Sequence, residues 1–196
     1  MANNDASKIR FAPNGGVYLA PAVGATLPTS VGDGKTAPTG YKSLGYVTDA
    51  GVQITPSVTT EPVNVWQSAV PVLYNVTAAA FSVAATFSES NINTTELFFG
   101  AAWVPVKDAQ DQATGDYRLD LASTPELQEI SLVVDWSQGD DLNRVVIPRA
   151  MIQERGAITL TRTAAQEYQL TIEALDSDGS LGYVLTNRNM GAVVTP

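Results

Sequence analysis

A glycine–lysine–threonine run, an acidic turn and a few loop carboxylates are the places where this chain could do chemistry. Gly34-Lys35-Thr36 matches the end of a phosphate-binding loop, in which backbone amides cradle phosphates and the lysine neutralises them. That loop also needs a glycine five residues before Gly34, where this chain has Thr29, and a strand-then-helix setting that its neighbours do not supply. A turn-rich loop is the expectation there. Asp176-Ser-Asp178-Gly179 begins like a calcium loop, but the later ligands and the closing glutamate are missing, so a hairpin turn is expected. Asp140 with Asp141, and Asp108 with Asp111, could pair for metal or hydrolytic work, yet nothing places them beside a cleft. They read as solvated turn residues. Asn75-Val-Thr77 and Asn93-Thr-Thr95 match glycosylation acceptors, a match that matters only in an exported chain. No Gly-x-Ser-x-Gly nucleophile elbow occurs.

Composition narrows the chemistry further. The 196 residues contain no cysteine and no histidine, which removes disulfides, thiol nucleophiles, Cys/His zinc sites and imidazole bases together. No catalytic, cofactor or metal site is assigned, and an enzyme is not expected. Eleven basic residues against twenty acidic ones leave a net charge of −9, which disfavours gripping a nucleic acid. Charged residues are only 16% of the chain, against about 25% in an ordinary soluble domain. Twenty threonines and twenty-one valines stand in their place. A weakly charged, β-branched surface suits a protein whose outside is covered by other subunits. The first ten residues have no apolar h-region, so no signal peptide is expected and the chain is read as made in a cytoplasm. The longest low-polarity run, residues 76–87, is too short to span a bilayer, and no membrane partner is expected.

The elements that would position these residues are mostly strands. A short strand over residues 16–20 leads into a proline- and glycine-rich arm at about 21–43, either a surface loop or a segment that orders against a neighbouring subunit. A long hairpin is expected from about residue 45 to about 74, with a bend at Pro56-Ser57. Pro62 and Pro71 mark it as edge structure, because proline cannot donate to a central ladder. Residues 76–87 alternate with period two, Phe81, Val83, Ala85 and Phe87 on one face. Asn93 and Glu96 spell a capping box, with Ile92 and Leu97 as its hydrophobic staple and Gly100 as C-cap, so a short helix is predicted over 94–99. Residues 107–116 read as a polar loop. Ile130, Leu132, Val134 and Trp136 outline a half-buried strand that returns through Arg144 to Ile147. A final hairpin is predicted from residues 157–163 to the strand at Tyr168, Leu170, Ile172 and Ala174, with one more strand over 181–185. The fold class is all-β: residues 1–196 as a single β-sandwich or small barrel of about eight or nine strands with one short flanking helix.

With these segments in order, the chain resembles a known family. Leu44-Gly-Tyr-Val-Thr-Asp-Ala-Gly-Val52, then Glu61 and Val65-Trp66, then Asp135-Trp-Ser-Gln-Gly-Asp140, Val145-Val-Ile-Pro-Arg-Ala150 and Glu154-Arg-Gly-Ala-Ile158 are similar to the major tail tube proteins of long-tailed, siphovirus-type bacteriophages. The similarity runs over about residues 17–175. It implies a β-sandwich or barrel subunit, six copies closing into a ring, and rings stacking into the hollow tube of the virion tail. Double-stranded DNA would pass through in transit, and tail-tip and tail-terminator proteins would meet the two ends. Assembly would take place in the host cytoplasm.

Low surface charge and exposed strand edges agree with obligate assembly. The inter-subunit hairpin is expected to use Glu61, Val63, Val65, Trp66 and Val70. A lumen that carries a polyanion without holding it should be acidic or neutral; Asp49 and Glu61, with Gln53, are the first candidates for that lining, and Glu167 and Glu173, with Gln169, the second. The rival from another class is a soluble carbohydrate-binding sandwich, which would gather aromatic side chains on one sheet face; Trp66, Trp103 and Trp136 instead fall in separate segments.

Overall fold

The structure is a computed structural model that describes residues 4–124 and 127–190. Its strands are β1 (Asn14–Pro21), β2 (Lys42–Ser43), β3 (Val47–Val63), β4 (Leu73–Phe87), β5 (Trp103–Lys107), β6 (Ala113–Leu119), β7 (Ile130–Gln138), β8 (Asp141–Arg155), β9 (Tyr168–Ala174) and β10 (Tyr183–Thr186), with one α-helix, α1 (Ile92–Phe99), between β4 and β5. The main sheet runs in the order β2-β1-β7-β8-β9-β4-β3, with β10 also on β8, and every pairing is antiparallel. It curls around one apolar interior as a sandwich-like sheet, not a closed barrel: no pairing joins β2 to β3 among the described residues.

β8 reaches across this fold because it changes partner half-way. Residues 143–146 pair with β10 and residues 150–155 pair with β9. Pro148, which has no N–H to donate, sits between the two partnerships, so the ladder breaks where no donor is lost. The curled interior is filled by Val17, Leu44, Val83, Phe87, Leu132, Ile147, Tyr168, Leu170 and Ile172. α1 closes one end: Leu97 and Phe98 join that core, and the Phe98 ring meets Tyr168 edge-on with centroids 5.3 Å apart.

β7 is buried on both faces rather than one. Ser131, Val133 and Asp135 are as enclosed as Leu132 and Val134. Their cover is the proline- and glycine-rich arm, which lies along its own chain. Ala25, Leu27 and Ala37 pack on a second cluster built from Tyr18, Ala20, Tyr41, Val133 and Val146. Beneath the arm, Arg144 makes a bidentate pair with Asp135, Nε and Nη2 each 2.6 Å from a carboxylate oxygen, and donates through Nη1 to the Ser30 carbonyl at 2.7 Å. The Tyr41 hydroxyl shares a hydrogen bond with Ser131, and Tyr183 donates to the Pro28 carbonyl. The Asp135 carboxylate, accepting from Arg144, raises the Arg144 pKa against the opposing effect of burial.

Four local expectations change. The alternation over residues 157–163 predicts a strand, but the segment is a loop; β8 itself extends to Arg155 and forms the hairpin with β9. Leu160, with no sheet to face, is exposed. The capping box expected on Asn93 and Glu96 does not form, and the N-cap lies two residues earlier. Asn91 is the N-cap, its side chain accepting from the Thr94 amide at 2.9 Å. Asn93 instead donates to the Ser43 carbonyl, and Glu96 accepts from the Trp103 amide. Gly100 is the expected left-handed C-cap at φ 70°. The polar stretch 107–116 holds the turn of a separate hairpin, β5–β6. Pro56-Ser57 lies inside a continuous β3 and breaks nothing, so the hairpin expected over residues 45–74 instead pairs β3 with the whole of β4 and turns between Val63 and Leu73.

Candidate assembly surface

β3 and β4 form the longest hairpin, and only its base belongs to the main sheet. β9 pairs with β4 from Phe87 to Ser82, opposite Thr55 of β3; beyond that point the two strands continue alone to the turn. At about 3.3 Å per residue, the eight further residues of β3 carry this ribbon roughly 26 Å past the sheet. A two-stranded hairpin without a third strand or a core is marginal in water. This one is also poor in charge: between Asp49 and Glu89 the only charged residue is Glu61.

Register assigns the ribbon two unlike faces. Val83 and Ala85 point into the core opposite Ile54 and Val52, and the same parity carries outward through Pro56, Val58, Thr60 and Pro62, paired with Phe81, Ala79, Val76 and Tyr74. A bulge at Thr77 keeps Val76 on that face. Beyond the sheet this apolar face has nothing over it: Val58 is 61% exposed, Val76 58% and Tyr74 64%. The other face carries Gln53, Thr55, Ser57, Thr59 and Glu61, opposite Ala84, Ser82, Ala80, Ala78 and Asn75, and ends beside the turn on the apolar pair Val63 and Leu73. It continues onto β9 through Gln169, Thr171 and Glu173, and onto β8 through Met151 and Glu154. No lysine or arginine stands at any of these positions.

The prolines fit the edge. The Val63 carbonyl accepts from the Val72 amide at 3.0 Å and the Thr59 carbonyl from the Thr77 hydroxyl at 3.2 Å, so odd-numbered residues of β3 turn their peptide groups toward β4. Even-numbered ones, Pro56 and Pro62 among them, turn to the free edge. There a missing N–H costs no ladder bond, and it interrupts the row of donors that would invite indiscriminate strand addition.

Of the residues expected to act between subunits, Glu61 and Val63 end β3, while Val65, Trp66 and Val70 form the tip, where Trp66 is 96% exposed. Glu61 and Glu173 share the polar face. Asp49 does not join them, because the irregular stretch between Val47 and Val52 breaks strand parity. It lines a cleft of about 600 Å³ at the open seam between β1 and the start of β3, with Gly15, Gly16, Val52, Ile54, Val134 and Trp136. Glu167 lies just before β9, outside the strand. Glu154 has no period-two signal of its own, because a bulge between Ile152 and Glu154 shifts β8.

The remaining chemical motifs are occupied by local structure. Asp33 accepts from the Lys35 and Thr36 amides and from the Thr36 hydroxyl. Those amides are the donors a phosphate loop would offer, and the bonds, the Lys35 amide foremost, hold the Asp33 carboxyl down at about 2. Asp108 accepts from the Gln110 and Gln112 amides, Asp111 pairs with Lys107, and Asp141 pairs with Arg10 and Arg188. Among the described residues no group of three His, Cys, Asp or Glu side chains could hold a metal. The three tryptophans stand apart: Trp66 at the ribbon tip, Trp103 on β5 with its indole donating to Thr95, and Trp136 at the seam. No helix of the described residues is long and apolar enough to cross a membrane.

Among solved structures, a chain from the virion of a native gene transfer agent particle aligns at a TM-score of 0.41 and 10% identity, over 78% of this chain and 92% of that one. A chain from the tail of an empty gene transfer agent particle, refined helically with C6 symmetry, aligns at 0.40 and 10% identity, over 74% and 86%. No curated protein matches the sequence. The family model described as phage tail tube protein matches residues 1–193, and the chain belongs to that family, the structural proteins of the virion tail.

Proposed function

We propose that this chain is the ring-forming subunit of the tail tube: copies, six to a ring as the family resemblance suggests, stack into a hollow tube through which phage DNA is delivered to the host. The observation that carries this is the β3–β4 ribbon. It is nearly uncharged, apolar on one face, tipped by an exposed tryptophan, and without a core of its own. A ribbon of that kind is stable only when other copies surround it, and a head-to-tail contact repeated by symmetry closes a ring. Glu61, Val63, Val65, Trp66 and Val70 are its inter-subunit residues, and tail-tip and tail-terminator proteins cover the two ends of the tube.

The polar face that runs from Glu61 to Glu173 is the proposed lumen wall. A duplex carries one negative charge per about 1.7 Å of axis, so each inward-facing cation would add a holding contact multiplied around the ring. Hydroxyls, amides and carboxylates without lysine or arginine let it pass. Asp49 is the weaker lumen candidate, since the seam holds it away from this face.

Electron microscopy of the purified protein tests assembly directly. Intact chain should form rings or tubes, whereas a variant with residues 59–78 replaced by a two-residue turn should remain a folded, dispersed subunit. Tubes of normal width from the shortened chain would overturn the proposal. Particles carrying Glu61→Lys with Glu173→Lys should assemble but eject DNA slowly, most of all at low salt, where screening is weakest.

A further inference from the structure

We infer that the apolar face of one copy's ribbon covers the open seam of the next copy, so that each subunit completes its neighbour's core. This rests on the ring-forming role proposed above and names the surface that the ribbon meets. Two apolar surfaces among the described residues complement each other. One is a cover without a core, the ribbon face at Val58, Val76 and Tyr74. The other is a core without a cover, the cleft of about 600 Å³ where Val52, Ile54 and Trp136 approach solvent between β1 and β3.

The two cannot meet within one chain. The seam is lined by the base of β3 and the ribbon is the far end of the same continuous strand, which leads away from it. Contact is therefore possible only between copies. It is heterologous, since cover and cleft are different surfaces, and that is the kind of contact that propagates around a ring. Electrostatics agree. The ribbon's apolar face carries no charge and Glu61 lies on the opposite face; of the two carboxylates lining the cleft, Asp135 is neutralised by Arg144 and Asp49 stands exposed to solvent. A second copy of this chain is the occupant that offers such a charge-free face.

The absence of cysteine makes the test direct. A chain carrying Val58→Cys on the apolar face and Ala50→Cys on the exposed seam rim, assembled and treated with a short bis-maleimide, should give a ladder of covalent oligomers. Thr59→Cys with Ala50→Cys, one residue along on the other face, should stay monomeric on a denaturing gel. Equal ladders from both pairs, or tubes of normal width with no Val58–Ala50 link, would overturn the inference and leave tube formation standing. If the wild-type chain forms no ring or tube, the ring-forming role fails first. Should the cysteine variants themselves fail to assemble, Val58→Thr decides: it should raise the concentration needed for assembly about tenfold, with Thr59→Val leaving it unchanged. Equal effects would overturn the inference.

Discussion

β7 and the outer half of β3 belong to one sheet and are built from similar β-branched residues, yet they stand at opposite extremes. β7 is enclosed on both faces, by the curled core on one side and by the arm on the other. From Thr55 onward β3 is exposed on both faces, with one strand for company. Strand-forming residues do two jobs here. Around β7 they make a subunit that holds its shape alone, and in the ribbon they make a surface that is finished only by other copies. Substitutions should separate the two, stability responding in the first region and assembly in the second.

The largest effect is expected at the ion pair under the arm. Arg144 and Asp135 have side chains only 4% and 2% exposed, so Arg144→Ala leaves a buried carboxylate without its partner and should cost about 3–5 kcal/mol in denaturant unfolding. A loss below 1 kcal/mol would show that the arm does not seal this pair from water. Leu132→Ala empties part of the packed interior and should cost about 2–5 kcal/mol, while Val58→Ala on the ribbon should change subunit stability by less than about 0.5 kcal/mol and weaken assembly instead. Equal effects on unfolding would erase the distinction between the regions.

The helix cap gives a smaller, sharper test. Asn91→Ala should destabilise the subunit by about 1 kcal/mol, and Asn93→Ala by less, since Asn93 bonds only the Ser43 carbonyl. The smallest effect belongs to the arm's own turn. Asp33 titrates at about 2, below the ordinary carboxylate value, because its charged form accepts the Lys35 and Thr36 hydrogen bonds. Its contribution is full above the unfolded-state pKa and fades as pH falls through about 2. Amide shifts of Lys35 and Thr36 should follow that titration and vanish in Asp33→Asn; a midpoint near 4 would contradict it.

Much of the fold was legible in the residues. Alternation at Phe81–Phe87 and at Tyr168–Ala174 marked true strands, and Gly100 marked the true helix end, because each signal is local. Three features escaped for non-local reasons. β7 reads as half-buried because the arm that covers its second face is distant in sequence and has no periodicity. The strand expected over 157–163 has the right alternation, but β8 extends to Arg155 and takes the place beside β9. The two sets of acids proposed for the lumen read as rivals, since only register reveals that Glu61 and Glu173 share a face while a bulge sets Asp49 apart. Glu96 misled because it fits a capping box by spacing, whereas its carboxylate is already held by the Trp103 amide.

Amide hydrogen exchange on dispersed subunits and on assembled tubes distinguishes a strand enclosed by its own chain from a ribbon enclosed only by other copies. Backbone amides of β7 should be protected in both states. Those from residues 56–81 should exchange quickly in the subunit, where the ribbon has neither core nor third strand, and become strongly protected in the tube. A ribbon equally protected in both states, or equally open in both, would contradict the account.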